Sequence, residues 1–233
     1  DTIAAGLRDP SPLLRLAALQ SLAGAAPDAR LRLAAPLLTE PLKALRIEAA
    51  SLFAPVPMEQ LSATERTAFA RARAEYVASQ QYAADRAEAR VNLGTFYATR
   101  GDVAKGEAEI MAAIVLDRAF IPAYVNLADL YRAQDRDADG ERVLRDGLKI
   151  LPKSATLHHA LGLALVRLKR THAALAALEQ ATTLEPANAR FAYVYAVALH
   201  STGKSAAAIK RLEKTLAAHP NDRDVLQALA SFH

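Results

Sequence analysis

The sequence predicts an all-α fold, an α-solenoid of stacked antiparallel helix hairpins, and three observations carry that prediction. The first is a period of 34 residues that holds without insertion. Leu161-Gly162, Leu165, Ala174, Leu178, Ala181 and Pro186 have counterparts in Leu127-Ala128, Tyr131, Gly140, Leu144, Gly147 and Pro152. Leu93-Gly94, Tyr97, Gly106, Ile110, Ala113 and Arg118 continue the series backward, and Tyr195-Ala196, Leu199, Ala208, Leu212, Thr215 and Pro220 continue it forward. Self-similarity at this length marks an array of small units that bury their apolar faces only by stacking. The second observation is composition: 52% of residues are hydrophobic but only 6% aromatic, with no tryptophan, so the apolar content is mainly alanine and leucine. These are strong helix formers, and their size favours closely packed helices over sheets. The third is punctuation, since turn residues fall inside each period at Gly101-Asp102, Gln134-Asp135, Lys169-Arg170 and Thr202-Gly203, and prolines close three of the units.

Residues 1–54 follow a different, shorter repeat. Gly6 to Leu22 aligns with Leu37 to Phe53 at an offset of 31. In each copy an acidic residue (Asp9, Glu40) precedes a proline (Pro10, Pro41), an arginine follows (Arg15, Arg46), and an alanine-rich apolar stretch runs on. This stretch resembles the HEAT repeat family, and the resemblance implies that the acidic residue and the arginine form a ladder between adjacent repeats. Arg15 and Arg46 are thus expected to be structural.

Residues 55–86 read as a junction. Pro55-Val56-Pro57 interrupts the helical pattern, because proline removes a donor and disfavours helix at the preceding residue. Ser62-Ala63-Thr64-Glu65 then reads as a capping box opening a helix to about residue 80, with Ala72, Tyr76 and Ser79 in the register of a second helix. The expectation is a half repeat that joins the two arrays.

Four full units follow at 87–120, 121–154, 155–188 and 189–222, and 223–233 begins a fifth. Their fixed positions resemble the tetratricopeptide repeat family, with departures at Arg118 and Thr215. The resemblance implies a superhelix whose first helices line a concave groove. Carried onto this sequence, it implies that Glu88, Val91, Asn92, Thr95 and Thr99 face the groove in the first unit, and Val125, Asn126, Asp129 and Arg132 in the second. It implies the same for His159, Leu163, Val166 and Arg167 in the third, and for Arg190, Tyr193, Val194, Val197 and His200 in the fourth. Asn92 and Asn126 offer both donor and acceptor, which suits pairing with the backbone of an extended peptide, although asparagine there also caps or bridges helices. A carboxylate clamp of the family's chaperone type is matched only in part, since valine stands at 91 where the clamp has lysine. The groove is expected to change from polar at Asn92 and Asn126 to apolar and aromatic at Leu163, Val166, Tyr193 and Val197.

Chemistry of other kinds finds little footing. Cysteine is absent, so disulfides, thiolate metal sites and covalent haem attachment are excluded within these residues. No phosphate loop, nucleophile elbow or helical His-Glu metal signature occurs. Among the six histidines, His158 is expected to pack between hairpins, and a metal held by His159 and His200 would need the groove to bring them together. Asp135, Asp137 and Asp139 surround a turn, where solvated or capping roles are expected. The net charge of +4 comes mostly from residues 189–222, with Arg190, Lys204, Lys210, Arg211 and Lys214 against Glu213 and Asp222, read as a solvated face without the aromatic interleaving that nucleic-acid binding needs. No uninterrupted apolar run is long enough for a membrane span.

The expectation is therefore a scaffold without catalytic activity or cofactor, binding a peptide or partner protein in the groove. The order of two HEAT-like units, a junction and a tetratricopeptide array also resembles the C-terminal tail of bacterial multihaem cytochrome-type proteins. That resemblance implies a periplasmic setting and a second reading: a structural or intramolecular docking module within a larger redox protein. The start and stop of the chain inside its repeats agree with the expectation of a segment of a longer protein.

Overall fold

A computed structural model describes residues 2–232, and among these every regular element is helical. Two compact units divide at Leu116 and Asp117.

In residues 1–116, α1 (Thr2–Gly6) precedes α2 (Pro12–Ser21), α3 (Pro27–Ala34), α4 (Lys43–Leu52), α5 (Ala63–Tyr82), α6 (Ala87–Thr99) and α7 (Val103–Leu116), with 3₁₀ turns at Leu22–Gly24, Ala35–Thr39 and Met58–Gln60. Prolines open α2 and α3 where a helix needs no donor. The capping box at α5 is formed: the Ser62 hydroxyl accepts from the Glu65 N–H at 3.3 Å, and the Glu65 carboxylate accepts from the Ser62 N–H at 2.8 Å. Leu19, Leu38, Leu45, Phe53 and Phe69 are almost wholly buried in one core with Ala72 and Tyr76. Two arginines stitch this core from its edge. Arg15 donates to the Glu40 carboxylate at 2.7 Å, and Arg46 donates to both oxygens of Glu75, while Asp9 instead accepts from the Ser11 N–H. Arg100, just after α6, donates to the Val56 carbonyl at 2.8 Å and lies over the Phe69 ring, tying the proline-rich turn to α6.

In residues 117–233 the helices are α8 (Ile121–Arg132), α9 (Asp137–Ile150), α10 (Ala155–Arg167), α11 (Thr171–Leu184), α12 (Ala189–Ser201), α13 (Ser205–Ala218) and α14 (Arg223–Phe232). The 34-residue period reappears in their caps: Ser154, Asn188 and Asp222 each accept the backbone N–H three residues on. It reappears in the turns between paired helices. Gly101 in the first unit, then Asp135, Lys169 and Gly203, take positive φ and close the preceding helix with a Schellman pair of hydrogen bonds.

Packing follows the same register. Leu127, Ala128 and Tyr131 of α8, Leu161, Gly162 and Leu165 of α10, and Tyr195, Ala196 and Leu199 of α12 are buried against their partner helices. Leu144, Leu178 and Leu212 are the matching large residues of the second helices, each at most 1% exposed. A leucine buried to that degree contributes about 1.5–3 kcal/mol.

Candidate functional site

The residues singled out for binding lie on the first helices, α6, α8, α10 and α12. Their side chains divide into three groups once packing is considered.

Polar residues of the first group stay at the surface with local partners. Asn92 is exposed, its amide 3.4 Å from the Gln80 side-chain oxygen, while its carbonyl accepts from the Tyr76 hydroxyl at 3.3 Å. Burial pushes that phenol up to about 12. Thr95, Thr99 and Glu88 are exposed on the same helix. Val91 departs from the groove expectation, since at 7% exposure it belongs to the core. Asn126 is half-buried and donates to the Pro122 carbonyl one turn back at 2.8 Å, so part of its amide serves its own helix. Asp129 and Arg132 are exposed and pair with each other at 3.2 Å.

The second group joins neighbouring hairpins. Arg167 reaches Asp137 at the start of α9, Nε to Oδ1 2.6 Å. Asp137 thus belongs to an ion pair across hairpins and not only to its turn, a role that local turn chemistry does not reveal. Arg190 faces Asp224 at 3.7 Å with both side chains more than half exposed, a loose pair in solvent. The His159 ring stacks on Phe191 with centroids 4.5 Å apart, and the His200 ring on Phe232 at 3.8 Å. Burial, and secondarily the charge of Arg190, push the His159 imidazole down to about 4, so it is neutral near pH 7. The two histidines therefore go to separate aromatic contacts between successive first helices. His158 is half-buried with Nε2 3.0 Å from the Pro152 carbonyl.

Apolar side chains make up the third group. Val166 is 48% exposed and Val197 38%, while Leu163, Tyr193, Val125 and Val194 are half-buried. Arg132 and Arg190 are exposed on the same set of helices.

Acid–base machinery does not assemble around these positions. The buried carboxylate of Glu141 is occupied by Arg145 at 2.8 Å and Arg170 at 2.8–2.9 Å. A cleft of about 550 Å³ in residues 1–116 is walled by Leu38, Ala63, Ala68, three threonines and Arg71, with no carboxylate or imidazole in its lining. Among the described residues no group of three or more His, Asp or Glu is placed to hold a metal, and no helix is long and apolar enough to cross a membrane.

The fold has solved counterparts. TTC0263, a thermophilic TPR protein of Thermus thermophilus, aligns at 22% identity and TM-score 0.58 over 89% of this chain and 98% of its own. MamA from Desulfovibrio magneticus RS-1 aligns at 15% identity and TM-score 0.52 over 75% of this chain and 97% of its own. A chain of the APC/C hetero-tetramer Cut9–Hcn1 aligns at 17% identity and TM-score 0.55 over 99% of this chain but only 45% of its own. At these identities the likeness concerns the fold. No curated protein sequence matches the chain. The tetratricopeptide repeat family profile matches residues 165–232, and the hairpins that precede this stretch on the same 34-residue period share the fold of the solved TPR protein TTC0263.

Proposed function

We propose that the chain is a non-catalytic interaction scaffold, and that the first-helix face of residues 121–232 holds an extended segment of a partner protein. The observation that supports it is the split exposure of α8, α10 and α12. One side of each is buried in its hairpin, while Asp129, Arg132, Val166, Arg167, Arg190 and Val197 stay exposed on the register positions that the family uses for ligands. Half-exposed valines supply apolar contact, and Arg132 and Arg190 supply donors for backbone carbonyls or carboxylates. Asn92 and Thr95 offer a polar face of the same type in residues 1–116.

A peptide array probed with the whole chain tests the reading. Selective binding is expected with affinity on the order of micromolar, because ordering an extended segment costs entropy. Arg132→Ala combined with Arg190→Ala should abolish it while the helical melt stays in place. Binding that survives the double substitution would show that another face is used. Capture of only a segment from the same polypeptide would favour an intramolecular docking module.

A further inference from the structure

Three successive seams between neighbouring hairpins in residues 121–232 are comparable position by position, because the 34-residue period carries each residue of one seam onto its counterpart in the next. In the first seam, Asp137 and Arg167 meet at 2.6 Å. Their counterparts in the middle seam are Thr171 and Ser201, whose side chains are too short to replace that pair. In the third seam, His200 and Phe232 stack with centroids 3.8 Å apart and planes 4° from parallel. Their counterparts in the middle seam are Val166 and Ala198. Glu141, which takes Arg145 and Arg170 in the first seam, is replaced by Leu175 in the middle one. The middle seam thus has shorter side chains at the place where the first seam carries its ion pair and at the place where the third carries its ring stack.

The space left is a cavity of about 110 Å³, lined by Val166, Ala174, Leu175 and Ala198 together with Thr171, Ser201 and Thr202. No charged group lines it. The Ser201 hydroxyl donates to the Ala198 carbonyl at 2.9 Å and the Thr202 hydroxyl to the Leu199 carbonyl at 2.8 Å. Each oxygen keeps lone pairs that accept an N–H. An apolar cavity of about 150 Å³ admits benzene, so one somewhat smaller suits a branched aliphatic group and is too small for an indole. Val166, 48% exposed, belongs both to the cavity wall and to the proposed binding face.

We infer that this cavity is an anchor pocket for a single aliphatic side chain, of the leucine, isoleucine or valine type, carried by the segment bound on the first-helix face. The inference rests on the face described under Proposed function and adds the class of side chain that the ligand presents. Apolar walls select the side chain, and the hydroxyl oxygens can receive the N–H of its own backbone.

The test uses N-acetyl-leucine N-methylamide as the probe and N-acetyl-aspartate N-methylamide as the comparison, each titrated into the whole chain with ¹³C-labelled alanine, leucine and valine methyl groups. Saturable shifts are expected at Val166, Ala174, Leu175 and Ala198 with the leucine compound, with affinity on the order of millimolar for so small a ligand. The aspartate compound should bind at least about tenfold more weakly. Two double variants close the cavity by means the chain already uses: Thr171→Asp with Ser201→Arg rebuilds the ion pair of the first seam, and Val166→His with Ala198→Phe rebuilds the ring stack of the third. The shifts at Ala174 and Leu175 should vanish in each variant whose helical melt is retained. Lack of saturable shifts in the parent chain, an equal response to the aspartate compound, or shifts that persist in a folded closed variant would each overturn the pocket. Since the probe contains no extended segment, such a failure removes the pocket alone, and the peptide array still decides the face.

Discussion

Arg46 of α4 meets Glu75 of α5 edge to edge, Nε 2.8 Å from Oε2 and Nη2 2.8 Å from Oε1. Its remaining nitrogen donates to the carbonyls of Glu40 at 2.6 Å and Pro41 at 2.8 Å, while the Glu40 carboxylate takes Arg15. Arginine is suited to this place because its planar fork serves two carboxylate oxygens and two carbonyls at once, which lysine cannot do. The Arg46 hydrogen bond holds the Glu75 carboxyl below the ordinary glutamate value of 4.5. A carboxylate with a depressed folded value adds stability above its unfolded value and loses it as pH falls through the folded one. Denaturant midpoints should therefore fall more steeply in the parent chain than in Glu75→Gln as pH drops below about 4.5. Identical profiles would show that the pair is not what acid weakens. Arg46→Lys should lower the midpoint at neutral pH as well, since it keeps the charge and loses the fork.

His159 titrates in a separate window. Its ordinary value of 6.5 is pushed down to about 4, so between those values the unfolded chain binds a proton that the folded chain refuses. Stability is then fully present above about pH 6.5 and is lost as pH falls toward 4. An NMR titration should find the His159 ring still neutral at pH 5.5 or so, where an ordinary histidine is mostly charged. His159→Phe should remove the slope in this window and leave the one below about 4.5 untouched. Arg190→Ala should move the imidazole value up, though not fully, because burial is the larger cause.

Lys169 takes φ +57° at a turn position where Gly101 and Gly203 stand in equivalent units. A side chain there costs about 1 kcal/mol that glycine avoids, so Lys169→Gly should stabilise the chain by up to about 1 kcal/mol in urea melts. Asp135 shares the geometry, with φ +57°. Aspartate tolerates it through local hydrogen bonding, so Asp135→Gly should gain less.

Gly162 allows α10 and α11 to approach. A Cβ there would lie 2.6 Å from both Cγ and Cδ2 of Leu178, a side chain with no exposed surface. Gly162→Ala should destabilise by about 1–3 kcal/mol despite alanine's better helix propensity. At Gly140 the nearest atom to an added Cβ is the Ala128 carbonyl oxygen at 3.4 Å. There Gly140→Ala should be neutral or stabilising by up to about 1 kcal/mol. Chemical denaturation of the two variants side by side checks the contrast, and equal losses would contradict this account of the seam.

Much of the fold was legible because a repeat reports its own packing: a residue type forced by contact at one position is forced again a period later. Leu161, Gly162, Leu178 and their counterparts and the turns at 101, 135, 169 and 203 all follow from that, while the caps at Ser154, Asn188 and Asp222 came to notice only in the structure. The binding candidates were less legible. Register places His159 and His200 on the first-helix face, but it does not show that Phe191 and Phe232 lie under their rings. Nor does it show that Asp137 takes up Arg167 or that Asn126 bonds its own helix.

By itself, then, the sequence determined the period, the class of fold and the residues that fill each seam, since these depend on the size and apolarity of side chains at fixed spacing. Only the tertiary structure decided which surface groups find partners across a seam and which seam is left underfilled. Contacts such as Arg167 with Asp137, or the gap beside Val166, depend on the reach of side chains between helices whose separation periodicity does not specify.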